Sequence, residues 1–384
     1  MPEMRYPGVY VEEVPALRPI EGVSTASAAF LGFAPAGKVG VPVEIDSWQA
    51  FCREFALDST DPHALPMCMP HAVRGYFENG GRKAIVLRLD GACTGTCTGA
   101  CTGTCTGART GTCTGTCAEP AQYVQELAKL DSVPDVSMVV TPETQDEQVV
   151  EAVLAQVAER KQAVYLFDAP AGIGLSDLRG YAGRCNSDFG ALYYPWLKVY
   201  DMAVPSAGHV AGVIARTDLK RGVYKAPAGT EAAVLGITGA SGIISASERD
   251  RLREAHVNWI GSMRGSPIAL QGARTMGESY LNVRRALIYL ERSLATGLQQ
   301  LVFERTGPTT WAKAAALAQD FLRSEHMKGG LQGRKSQEAY FVRCDATTHT
   351  SSDIERGRVL LLAGVALIRP AEFFTMQIGI QTRM

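Results

Sequence analysis

The chain predicts an α/β fold built on parallel βαβ units, and three observations carry that prediction. Short apolar runs alternate with amphipathic segments from residue 83 to residue 167. A β-α-β-α-β order of that kind builds a parallel sheet with right-handed crossovers. The composition is ordinary for a globular chain, 46% apolar and 20% charged over 384 residues, enough for two domains or one large domain with an insertion. Finally, β-like runs stand at both ends, at residues 8–14 and 373–381, and strands with an apolar face need partners.

Taken in order, residues 1–24 hold four prolines and no adjacent apolar partner for the run 8–14, so they read as an extended arm. Residues 28–33 form a small apolar strand. Residues 47–56 read as a helix capped by Asp46. A second helix, 70–77, stops at Asn79-Gly80-Gly81, and 83–89 is a strand. Helix 120–130, strand 136–140, helix 144–160 and strand 163–167 follow, then a short helix at 177–182. The stretch 192–227 opens as one strand carrying Tyr193, Tyr194, Trp196 and Tyr200, and breaks at Pro205. It continues as a helix, 208–217, capped by Ser206. Gly208, Ala211 and Gly212 there permit close backbone approach. It ends in a charge cluster, Arg216, Asp218, Lys220 and Arg221, before Gly222. Helix 247–255, strand 267–270, amphipathic helix 280–295, helix 309–324 and strands 340–344 and 359–367 complete the body. In the tail, Phe374, Met376, Ile378 and Ile380 share one face of a strand. The expected divisions are an arm at 1–24, α/β subdomains at 25–204 and 205–368, and a β arm at 369–384.

Residues 91–118 read GACTGTCTGACTGTCTGARTGTCTGTCA. Every even position is Thr or Ala, and every odd one Gly or Cys except Arg109. Alternation with period two is a strand pattern, yet there is too little apolar bulk to fold alone. The stretch reads as a surface insertion without chemistry, a hairpin laced by cross-strand or inter-subunit disulfides, a metal-binding strip lacking histidine, or letters of nucleotide text. It weakly resembles the Thr-Cys-Thr repeats of insect antifreeze solenoids. The other cysteines, Cys52, Cys68, Cys185 and Cys344, lack metal-ligand spacing and read as buried thiols.

A formal net charge of -1 gives no basic surface for nucleic acid or anionic membrane. The longest apolar run, 359–368, falls short of the roughly 20 residues a bilayer span needs. The first residues show no basic-then-apolar leader, so synthesis in a bacterial cytoplasm is expected. Several catalytic lookalikes fail on chemistry. Gly32 to Lys38 fits G-x4-G-K, but Val39 stands where a phosphate loop needs the Ser or Thr that holds magnesium. Residues 163–168 end in Asp168, as any buried parallel strand can. Gly172 and Gly174 lack the third glycine of a dinucleotide loop. Ser206, His209 and Asp218 resemble a triad without the G-x-S-x-G elbow; Ser206 is expected to cap its helix and His209 to pack. No catalytic, cofactor-binding or metal-binding residue is expected. The competing readings are a degenerate P-loop-like nucleotide hydrolase using Lys38 and a surface adhesin displaying the Cys/Thr repeat.

Several stretches together resemble the tail sheath proteins of contractile phages and of phage-tail-like injection particles. They are YPGVYVEEV with RPIEGVSTASAAFLGFA in residues 6–34, YFENGGRKAIVLRL at 76–89, ALYYPWLKVYD at 191–201, VPSAGHVAGVIARTDLKRGVYKAPAG at 204–229, GARTM at 272–276, YLNVRRALIYLERSL at 280–294, and RPAEFF at 369–374. The resemblance implies a tail-sheath-like core and a non-enzymatic helical polymer of stacked hexameric rings around an inner tube, whose contraction drives the tube through a target envelope. Its implied partners are further copies of itself, the inner tube, baseplate and tail terminator proteins, and sheath paralogues, with neither nucleic acid nor membrane insertion. It places the protein in a virion tail or a released extracellular particle. It also implies terminal arms that add strands to neighbouring subunits, here Val9, Tyr10, Val11 and Glu12 at one end and Phe374, Met376, Ile378 and Ile380 at the other, with hinges near Pro15, Pro19 and Pro370. Arg216, Asp218, Lys220 and Arg221 are the candidate contacts to the tube or to a neighbour.

Overall fold

A computed structural model describes residues 17–57, 68–90, 119–133, 135–263 and 265–382. Val9, Tyr10, Val11 and Glu12 and the repeat at 91–118 lie outside the described residues. The chain forms two compact units, one of residues 22–292 and one of residues 1–21 with 293–384.

In the first unit, β1 (Ser27–Gly32), β2 (Val43–Ile45), α1 (Trp48–Glu54), α2 (Cys68–Glu78) and β3 (Lys83–Arg88) are followed by α3 (Pro120–Lys129), β4 (Met138–Val140), α4 (Glu147–Arg160), β5 (Val164–Asp168), α5 (Leu175–Arg184) and β6 (Gly190–Tyr194). Two short strands, β7 (Leu197–Val199) and β8 (Met202–Val204), lead into α6 (Ala207–Arg221). Then come β9 (Gly239–Ala240), α7 (Ala246–Glu254), β10 (Asn258–Gly261) and β11 (Ala269–Leu270), and α8 (Leu281–Leu298) runs on into the second unit. Among the described residues the main sheet has eight strands in the order β11-β10-β6-β5-β4-β1-β3-β2. It is parallel from β10 to β3, with antiparallel β11 and β2 at its edges. Its central strands are apolar along their whole length and buried on both faces: β1, β4 and β5 have no exposed residue, as expected of a parallel sheet covered by helices.

Three expectations need correction. The boundary at 204/205 falls inside the first unit, because β10, from beyond that point, pairs in parallel with β6 and extends the same sheet. The aromatic stretch is not one strand: β6 ends at Tyr194, Pro195 has no N–H to donate to a ladder, and β7 joins a separate antiparallel sheet of order β8-β7-β9. The cap of α1 is Ser47 rather than Asp46. Ser47 Oγ accepts from the Ala50 amide at 3.2 Å and donates to Asp46 at 2.9 Å, so the carboxylate orients the cap.

Helices α2 and α6 lie backbone to backbone. A Cβ on Gly208 would collide with the Ala72 main chain, one on Gly212 with the Tyr76 carbonyl, and one on Gly75 with the His209 ring. This is the close approach that the small residues of α6 predict.

The second unit holds α9 (Pro308–Met327), α10 (Ser336–Ala339), β12 (Tyr340–Arg343), α11 (Ser351–Glu355), β13 (Arg358–Ala366) and β14 (Phe373–Gln381). The strands form an antiparallel sheet of order β12-β13-β14. Residues 17–21 belong to this unit as well. The Gln300 amide group brackets the Arg18 main chain with two 3.0 Å bonds, and Ile20 packs against Gly297.

Candidate functional site: the C-terminal strand, the end of α6 and two capping carboxylates

The tail strand forms as its alternation predicts. Met376, Ile378 and Ile380 are buried and Phe374 is half-buried, while Thr375, Gln377 and Gln381 are exposed. Within the single chain, β14 pairs with β13 over nine residue pairs, from Phe373 opposite Ala366 to Gln381 opposite Arg358. It is the last strand of its sheet, so its outer edge carries no strand among the described residues.

The four-residue charge cluster divides into two pairs. Asp218 and Arg285 form a buried, two-pronged ion pair at 2.6 and 2.9 Å, each side chain 3% exposed; Arg285 also donates to the Thr25 carbonyl at 2.7 Å. Arg216 is half-buried and donates to the carbonyls of Asn79 and Ala233. These two residues therefore work inside the fold and are not available to a partner. Lys220 and Arg221 are exposed in the last turn of α6, where cations complement the helix dipole. Arg221 meets the equally exposed Glu231 at 3.2 Å, a contact worth little in solvent.

The catalytic lookalikes resolve into helix caps. Asp168, at the end of β5, accepts from the Ser206 amide at 2.7 Å, the Ser206 hydroxyl at 2.5 Å and the Ala207 amide at 3.1 Å. The cap of α6 is thus Asp168, reached across 38 residues, and Ser206 is its partner instead of the capping group. Glu143, after β4, does the same for α2, accepting from the Met69 amide at 2.7 Å and the Cys68 amide at 3.3 Å. A helix N-terminus at the carboxyl end of a parallel sheet is where such folds hold phosphate. Here the chain's own carboxylates occupy both positions. Burial pushes Glu143 up to about 7 and Asp168 up to about 6, against the opposing pull of those hydrogen bonds. His209 is buried against α2; burial, then His71 and Arg74, push it down to about 3, so it packs as a neutral ring. In the loop after β1, Arg88 donates to the carbonyls of Ala34 and Gly37 at 2.8 and 3.0 Å, and the next element is β2 and not a helix. Among the described residues, no group of three or more His, Cys, Asp or Glu is placed to hold a metal, and no helix is long and apolar enough to cross a membrane.

Comparison with known proteins gives one consistent answer. Residues 117–276 match the phage tail sheath protein central domain and residues 278–381 the phage tail sheath C-terminal domain. The chain is 31% identical over 175 residues to the tail sheath protein of Burkholderia phage BcepMu, covering 39% of this chain and 36% of that one. It is 25% identical over 179 residues to the tail sheath protein of Enterobacteria phage T4, covering 45% and 26%. The alignment thus spans about a third of the one relative and a quarter of the other. Among solved structures it is similar to the PVC extracellular contractile injection system sheath complex in its contracted state, with TM-score 0.74, 25% identity and 97% of both chains covered. It is also similar to the helical sheath of the anti-feeding prophage in its contracted state, with TM-score 0.73, 26% identity and 96% and 98% covered. The two domain matches together take in more than half of the chain, and the chain belongs to the phage tail sheath protein family.

Proposed function

We propose that this chain is a structural subunit of a contractile sheath, polymerising as stacked hexameric rings around an inner tube and contracting to drive that tube through an envelope. The observation that carries the reading is similarity to sheath subunits in the contracted state along nearly the whole length of both chains. The helix N-termini that a nucleotide would use are filled by Glu143 and Asp168, which favours a mechanical role over a catalytic one. Its partners are further copies, the tube protein, and the baseplate and terminator of a virion tail or an extracellular particle. Residues 8–14 and the open backbone edge of β14, the strand that carries Phe374, Met376, Ile378 and Ile380, serve as inter-subunit arms, since strand addition holds a link through many backbone bonds. Lys220 and Arg221 contact the tube or a neighbour.

The test is electron microscopy of the purified chain, alone and with its tube protein. Helical tubes of stacked rings are expected. A chain that stays monomeric in both mixtures, at concentrations where related sheaths assemble, defeats the reading. A polymer that forms but loses nothing on deletion of residues 1–16 defeats the arm assignment alone.

A further inference from the structure

We infer that His349 is a proton-operated catch on the C-terminal sheet, closed when its imidazole is neutral and open when it is charged. β12 stops pairing with β13 at Arg343 opposite Leu362. β13 runs on past that point, and the amide of Leu360 finds its acceptor in a side chain, donating to His349 Nε2 at 2.9 Å. On the other side of the ring, His349 Nδ1 lies 2.7 Å from the Asp345 carbonyl oxygen and 3.0 Å from the Thr348 hydroxyl, which itself donates to that carbonyl.

The Leu360 amide and the Asp345 carbonyl dictate the protonation state. An amide N–H only donates, so Nε2 must be bare; a carbonyl oxygen only accepts, so Nδ1 must carry the hydrogen. Adding a proton to Nε2 sets two hydrogens against each other and leaves the Leu360 amide without an acceptor in a place where water is scarce, His349 being 8% exposed. Histidine is the side chain that changes charge between pH 5 and 8.

The charged groups around the ring lie on α11, on β13 and in the loop before α11. Asp353 on α11 interacts with His349 electrostatically, is held by the Thr350 amide and hydroxyl, and lies 3.9 Å from Arg358 of β13. Asp345, in the loop, directs its carboxylate at the Thr347 amide and hydroxyl. The Thr350 hydroxyl first and the Thr347 hydroxyl first hold these two carboxyls below the usual range, so neither changes charge where an imidazole does. From α9 comes the uncharged face of Trp311, stacked on the ring at 4.4 Å and 16°. The same corner fastens the end of β14: the Thr382 amide and hydroxyl both donate to the Gly357 carbonyl at 2.8 Å, and Leu360 stands opposite Gly379. Release of Leu360 thus loosens the last residues of β14 together with the start of β13.

The inference stands on the chain alone and does not require the sheath reading. Its test is amide hydrogen exchange of the full chain at pH 8 and pH 5, expressed as protection factors so that the intrinsic pH dependence of exchange cancels. Leu360 is expected to lose about tenfold or more of its protection at pH 5, and His349→Gln, which keeps an acceptor that does not titrate, is expected to lose none. Equal protection at both pH values in the unmodified chain, or an equal loss in His349→Gln, overturns the proposal. Imidazole nitrogen NMR of the unmodified chain gives a second reading that needs no variant. Nδ1-protonated neutral His349 is expected at pH 8, titrating in step with Leu360 protection; a ring that becomes charged while Leu360 stays protected overturns it as well.

Discussion

At the scale of single residues, burial decides which charges are structural. Asp218→Ala leaves the Arg285 guanidinium buried without its counter-charge, and a loss of about 3–5 kcal/mol in denaturant unfolding is expected. Reversing Lys220 and Arg221 to Glu is expected to cost about 1–2 kcal/mol at most, through the helix dipole, so loss of polymer by variants that still fold reports a contact and not misfolding. The capping carboxylates make a pH prediction. Glu143 in the folded chain keeps its proton up to about 7, while in the unfolded chain it releases it near 4.5. The folded state then binds more protons between those values, and its stability falls as pH rises through that window. Glu143→Gln removes this contribution, so the variant's stability relative to the unmodified chain is expected to rise by up to about 3 kcal/mol from pH 4.5 to 7. His209 acts with the opposite sign. Its folded value near 3 lies below the usual imidazole range, so the unfolded state takes up the proton first and stability is lost as pH falls below about 6.5. Asp168 and Glu143 as caps were invisible in the sequence. Asp168 and Ser206 are 38 positions apart, and no local spacing rule links a strand end to the start of a helix five elements later.

At the scale of elements, the α2–α6 pair shows which glycines matter. Gly208→Ala puts a methyl group into the Ala72 backbone, which cannot give way as a side-chain tip would, and a loss of at least about 1–3 kcal/mol is expected from thermal or denaturant melts. Gly180, exposed on α5, meets only the tip of Arg184 at 3.8 Å; Gly180→Ala is expected to stabilise by about 0.5–1 kcal/mol through helix propensity. Helices were well legible in the sequence, because ten or more residues give several turns of apolar periodicity; α3, α4, α8 and α9 fall within a few residues of their expected bounds. Short strands were not. β7, β8, β9 and β11 each have two or three residues, too few for alternation to register, so the 192–204 stretch read as one strand when it feeds two sheets.

At the scale of the whole molecule, the C-terminal strand is part of the fold of the isolated chain. The tail, read from the sequence as a β arm, pairs with β13 of its own chain. Deleting residues 371–384 strips the apolar partners of Val359, Leu361 and Ala363, all buried. The amides of β12 and β13 are expected to lose hydrogen-exchange protection while those of β1, β4 and β5 keep theirs; unchanged protection in β13 would show that β14 adds nothing to its sheet. The sequence by itself determined the α/β class, the alternation of strands and helices in the parallel core, the close approach at Gly208 and Gly212, and the family resemblance, since each is written in local periodicity or in contiguous motifs. Only the tertiary structure decided that Asp218 belongs to Arg285, that Asp168 and Glu143 cap α6 and α2, that β10 joins the first sheet and that β14 closes the last one. Those are pairings between residues far apart in the chain, chosen by which groups are buried together, and burial is a property of the folded whole.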